Sequence, residues 1–170
     1  MAEAGCKAIF LGVESGSQKI LDYYKKGYSV DMIKRQCRLI KEAGIDIVSW
    51  FVLGAPIETP DDIRKSLKLS LEIDSDYICL NELRPMPTTD IFNKLRNHIH
   101  VSLFPFNISY APFYLSAKEV SRLRRIFYIK FYFSPKIIRK VLLRFIRNPA
   151  NIMFFLREFT SATRLKYVEK

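Results

Sequence analysis

The chain of 170 residues is long enough for one domain with a sizeable core, whereas a complete eight-unit β/α barrel takes about 250 residues. Hydrophobic residues make up 49% and aromatics 14%, a composition that sets the chain apart from disordered ones. The formal charge of +11 sits at one end, because residues 1–117 carry 14 basic and 14 acidic side chains and residues 118–170 carry 14 and 3; such a tail attracts anionic surfaces.

Residues 7–12 form a short apolar run ending at Gly12, which predicts a buried strand feeding a loop. Ser17 then precedes a short helix that Gly27 stops. A second helix carries Ile33, Cys37 and Ile40 at helical spacing, with Asp31 in its first turn and Gly44 after its end. Residues 45–53 are rich in β-branched and aromatic side chains and read as a strand buried on both faces. Thr59 caps the next helix, with Pro60 at its first position and Asp61 and Asp62 at the positive end of its dipole. Ile63, Leu67 and Leu71, with Leu69 beside them, give that helix its inner stripe, and residues 77–83 read as another strand. Strands alternating with helices are the pattern of crossovers in a parallel sheet. The expected fold class is therefore α/β: a partial (β/α) barrel of parallel strands followed by a basic, mostly helical C-terminal region.

After Pro85 the alternation gives way to a short helix over 91–96 and an irregular, aromatic-rich segment over 98–115. Ser116 and Glu119 make a capping box for a helix reaching residue 133, and Ser134-Pro135 and Asn148-Pro149 divide the tail into three helices. The units expected are a partial barrel over 1–97, a connecting segment over 98–115 and a basic helical region over 116–170.

Cys6, Cys37 and Cys79 lie 31 and 42 residues apart, without the paired spacing of zinc or iron-sulfur sites, and read as reduced thiols in the core. His98 and His100 have no cysteine or carboxylate near them in sequence and read as solvent-exposed; Glu72, Asp74 and Asp76 read as a solvated turn between helix and strand. Neither a metal site nor a catalytic residue is assigned. No secretion-signal pattern follows Met1, and no run reaches the roughly 20 apolar residues of a spanning helix. A cytoplasmic protein is expected, with a basic tail suited to an anionic membrane surface at its inner face. Nucleic acid is the weaker partner, because the basic residues lie among aliphatics without a recognisable binding motif.

Ligands of a parallel α/β sheet bind at the carboxyl ends of the strands, and two turns there carry chemistry. In Gly12-Val-Glu-Ser-Gly-Ser17, small residues let a ligand approach the backbone, while Glu14 and Ser15 can hydrogen-bond hydroxyls or an ammonium group. Gly54-Ala-Pro-Ile-Glu-Thr59 follows a strand directly. Each alone has an ordinary reading as a turn or a helix cap. Taken in order, with Lys25-Lys-Gly27 and Lys41-Glu-Ala-Gly-Ile45 between them and Arg84-Pro-Met-Pro-Thr-Thr-Asp90 after, they resemble the later barrel strands of radical S-adenosylmethionine (radical SAM) enzymes. The resemblance is to the branch whose members often carry an N-terminal cobalamin-binding domain. It covers about residues 1–95 and is strongest over 12–67.

The resemblance implies S-adenosylmethionine as cofactor, with Glu14 and Ser15 on its ribose or methionine and Phe51 and Val52 beside its adenine. Gly54 would leave room for that ring, and Gly16 and Pro56 complete the set. It also implies a methyltransferase or related oxidoreductase acting on an apolar substrate, with cobalamin admitted as a further cofactor. Two departures stand out. Ile57 follows Pro56 where the family usually has glycine, which narrows the adenine pocket or changes the turn. The family's C-x-x-x-C-x-x-C loop, which ligates the [4Fe-4S] cluster, has no counterpart. The cluster then has to come from a missing N-terminal half or a separate subunit, and the chain reads as a fragment, a split subunit or the product of an interrupted gene, inactive alone. The alternative is a non-catalytic remnant or scaffold that associates with a membrane surface or a partner chain through its basic tail.

Overall fold

The computed structural model describes residues 1–103, 106–110 and 112–147. Three strands, β1 (Ala8–Glu14), β2 (Asp46–Leu53) and β3 (Tyr77–Glu82), form a parallel sheet in that order. Between β1 and β2 the chain passes through α1 (Gln18–Tyr23) and α2 (Val30–Glu42), and between β2 and β3 through α3 (Pro60–Glu72). The helix starts follow local chemistry. The Ser29 side chain accepts the Met32 amide at the head of α2, and Thr59 and Asp62 form a reciprocal capping box at the head of α3.

The pleat of β2 sorts its side chains, with Ile47, Ser49, Phe51 and Leu53 buried against the helices and Trp50 on the opposite face 41% exposed. On β1, Phe10 is 69% exposed. This corrects the expectation of a buried first strand and a second strand buried on both faces: the helices cover one face of the sheet, and nothing among the described residues covers Phe10 and Trp50 on the other. An open sheet with one covered face is what a partial barrel leaves.

After β3 come α4 (Asp90–Leu95), capped by Thr89, and an antiparallel pair, β4 (Ile99–Leu103) and β5 (Phe106–Tyr110). The segment expected to be irregular therefore holds a two-stranded sheet. α5 (Ala117–Tyr132) begins at the Ser116 and Glu119 capping box and sends Val120, Phe127, Tyr128 and Phe131 into the core built by β1, β2, β3 and α3. The Phe127 and Phe51 rings meet at 5.5 Å. The first helix of the basic tail thus belongs to the same packed unit as the sheet. On the outer edge of β3, the Leu80 amide donates to the Tyr128 hydroxyl at 3.0 Å.

α6 (Pro135–Arg147) is fastened at the amino end of the strands. Asp76, immediately before β3, has a side chain only 1% exposed and receives Lys41 at 2.6 Å, Arg144 at 2.8 Å, Lys140 at 3.1 Å and the Ile47 amide at 2.8 Å. Asp74 pairs with Lys136 and Lys140 at 2.7 and 2.9 Å, and Arg144 also reaches Asp46 and the Tyr77 hydroxyl. The expected solvated turn is instead a carboxylate anchor. Burial alone would raise the Asp76 pKa, and the hydrogen bonds from Lys41 and Ile47 with the neighbouring cations hold it below the ordinary value. The third tail helix expected after Asn148-Pro149 lies outside the described residues. Among those described, no helix is long and apolar enough to cross a membrane.

Candidate functional site

The carboxyl ends of β1 and β2 bring both singled-out turns to one end of one sheet. Glu14 ends β1 and is the register partner of Phe51, three residues before Gly54, with a shift between Gly12 and Glu14 that leaves Val13 unpaired. Glu14 adopts φ +64, a left-handed conformation rare for a non-glycine residue, while the Ser15 amide reaches back to the Val13 carbonyl at 2.8 Å. The Glu14 carboxylate pairs with Lys26 at 2.7 Å, and the Tyr28 hydroxyl donates to the Gly12 carbonyl at 2.8 Å.

Behind this turn lies α3. Ser15 is fully buried, its hydroxyl 3.2 Å from that of Ser66 and accepting the Ser17 amide at 3.1 Å. The Gly16 amide donates to Ser66 at 2.8 Å, and the Ser17 hydroxyl donates to Asp62 at 2.6 Å. Ser15 and Gly16 thus turn toward the protein, fixing the loop on which Glu14 stands. Gly16 answers to the approach of the α3 backbone.

The second turn is organised from within. Gly54 is buried at φ +87, the Glu58 amide donates to the Ala55 carbonyl at 2.9 Å, and the Glu58 carboxylate, fully buried, accepts the Gly54 amide. Burial raises the Glu58 pKa to about 7 against the lowering pull of the Gly54 and Ala55 amides. Its second oxygen, Oε1, has no partner among the described residues, and neither do the buried hydroxyls of Tyr24 and Tyr110. Burial, with the nearby Glu58 charge, holds both phenols protonated. Ile57 has an ordinary negative φ, so the turn asks for no glycine there. Lys19 joins the two turns, donating to the Ile57 carbonyl at 3.0 Å and pairing with Asp62 at 2.7 Å. Burial works to raise the Asp62 pKa, yet hydrogen bonds from Lys19, Ser17 and Thr59 keep it well below the carboxylate range.

The predicted residues are therefore brought to one place with different faces forward. Val52 lies on the open side of the sheet, whereas the Phe51 ring points into the core and leaves only its backbone near the turn. Pro56 is buried within the second turn. Glu58, Asp62, Ser66 and Lys19 were not singled out as site residues. A signal for two of them exists, because Asp62, Ser66 and Ser70 recur at four-residue spacing inside the otherwise apolar stripe of α3. Among the described residues no three His, Cys, Asp or Glu side chains are grouped to hold a metal ion, and the three cysteines form no disulfide, with Cys37 buried and Cys6 and Cys79 half-buried.

Residues 1–70 match the model of the radical SAM superfamily. An uncharacterized methyltransferase of Pyrococcus horikoshii is 26% identical over 146 residues, covering 82% of this chain and 32% of that protein. The anaerobic magnesium-protoporphyrin IX monomethyl ester cyclase of Cereibacter sphaeroides is 29% identical over 99 residues, 58% of this chain and 16% of the cyclase. Among solved structures, the radical S-adenosylmethionine methyltransferase TsrM from Kitasatospora setae, with cobalamin and a [4Fe-4S] cluster bound, superposes with a TM-score of 0.51 at 26% identity. That match covers 56% of this chain and 19% of TsrM. The chain spans about a third or less of each of these relatives.

Proposed function

We propose, from the match of residues 1–70 to the radical SAM superfamily and from the methyltransferase and cyclase relatives, that the chain is part of a radical SAM protein and forms the S-adenosylmethionine-contacting rear of a methyltransferase-type barrel. The observation that carries the reading is the neighbourhood of Glu14 and Gly54 at adjacent parallel strand tips, where two backbone turns border one open face. On this reading Glu14 meets the ribose or methionine, Val52 and the backbone of Phe51 and Gly54 line the adenine, and Ser15, Gly16 and Pro56 hold the turns in shape.

The cluster is a different matter. The described residues offer no cysteine grouping, so the [4Fe-4S] donors do not fit this part of the chain, and a polypeptide bearing them has to complete the enzyme. The edge of β1, unpaired among the described residues, and the exposed Phe10 and Trp50 face support such a partner. Cobalamin enters the proposal only for the completed enzyme. The same open edge favours a second reading, a non-catalytic half-barrel that pairs with another chain, and ligand binding separates the two.

The test is saturation-transfer NMR on the chain with S-adenosylhomocysteine, which keeps the nucleoside and lacks the sulfonium methyl. Transfer to the adenine and ribose protons, reduced in Glu14→Gln and in Gly54→Val, is expected. Absence of transfer to the unsubstituted chain at millimolar nucleoside overturns the reading and leaves the scaffold.

A further inference from the structure

α6 is amphipathic, but it is mounted with its charges inward. Ile137 and Val141 pack on the core while Lys136, Lys140 and Arg144 engage Asp74, Asp76 and Asp46. The outward side carries Ile138, Leu142, Leu143 and Ile146, exposed by 42, 56, 49 and 77%, with the exposed Arg139 among them. Four large aliphatics on one helix face form a contiguous patch, unlike the single exposed side chains that any surface carries.

The charge of the two helices says what it fits. Among the described residues of α5 and α6 the only acidic one is Glu119, held in the cap at Ser116, whereas Lys118, Arg122, Arg125, Lys130 and Arg139 stand exposed. A twofold contact between two copies would bring the patch against itself and set Arg139 near its counterpart, cation against cation. An aliphatic stripe that carries Arg139, on two helices with a large excess of basic side chains, instead matches the boundary of a bilayer, where apolar side chains enter the acyl region and cations stay among the phosphates. We propose that the outward face of α6 docks on an anionic lipid surface through Ile138, Leu142, Leu143 and Ile146, with Arg139 at the headgroups. This proposal is independent of the nucleoside reading.

The experiment is co-sedimentation of the full chain with vesicles of phosphatidylcholine, alone or mixed with phosphatidylglycerol, across a salt series. Binding to the mixed vesicles that weakens as salt rises is expected. Replacing Leu142 and Ile146 together by serine should lower partitioning by about tenfold or more, and Arg139→Gln by about fivefold. Because these side chains already face solvent, circular dichroism and the thermal midpoint should stay unchanged, which separates lost docking from lost folding. No binding, equal binding to neutral and anionic vesicles, or full binding by the double serine variant overturns the proposal. So does a dimer in gel filtration that the double serine variant converts to monomer, since the patch is then covered by a second copy.

Discussion

Gly16 lies so close to α3 that a Cβ added to it would sit 2.4 Å from the Lys65 carbonyl oxygen and 2.6 Å from the Ser66 Cα. The obstruction is helix backbone, which cannot swing aside as a flexible side chain does. At Gly54 the surroundings differ, because an added Cβ meets only Pro112 and Val120 at ordinary contact distances of 3.6 Å and more, and the constraint is the φ of +87. Gly16→Ala should therefore cost about 2–3 kcal/mol by overpacking, and Gly54→Ala about 1 kcal/mol by strain at positive φ. Urea unfolding of both variants checks the order. Equal costs would mean that the first turn shifts off α3 without resistance.

Glu58 should give stability an unusual dependence on pH. Its folded pKa of about 7 lies above its ordinary value of 4.5, so the folded state holds a proton that the unfolded state has released between those values. Stability is then highest below pH 4.5, falls as pH rises toward 7, and levels off beyond, with a total loss of up to roughly 3 kcal/mol. Glu58→Gln keeps an oxygen for the Gly54 amide and should flatten that slope. Asp62 acts in the opposite direction: its lowered pKa adds stability that is present above the ordinary carboxylate range and lost only in stronger acid. Denaturation midpoints collected from acid to neutral pH in the wild type and in Glu58→Gln decide the matter, and parallel curves would remove Glu58 as the cause.

The anchor of α6 predicts a local effect. Asp76→Asn leaves Lys41, Lys140 and Arg144 facing a neutral side chain in a largely buried setting, a change that costs about 3 kcal/mol. Hydrogen exchange should show α6 amides losing protection before those of β2, because the helix loses its most buried carboxylate partner and keeps the Asp74 and Asp46 pairs beside the core contacts of Ile137 and Val141. Uniform loss across both elements would make α6 part of the global unfolding unit.

Much of this was readable from residue order. Thr59-Pro60-Asp61-Asp62 marks the start of α3 by cap, ring and dipole together, and Ser116 with Glu119 marks α5, since each motif acts over a few residues and needs no tertiary context. The placement of Glu14 and Gly54 at neighbouring tips followed from strand, helix, strand alternation. The β4 and β5 pair escaped because Phe104-Pro105, between two alternating runs, carries none of the Asn-Gly chemistry that flags a hairpin. Ser15 and Glu58 escaped as internal ties for a different reason: which way a polar side chain turns is decided by α3 and by the turn closing on itself, contacts up to 51 residues distant. The inverted mounting of α6 was also hidden, because its lysines and arginine meet carboxylates more than 60 residues upstream.

The Tyr128 hydroxyl on the Leu80 amide makes the sheet directional. A strand added along β3 would have to displace this hydroxyl from the Leu80 amide, an obstacle that the edge of β1 does not present among the described residues.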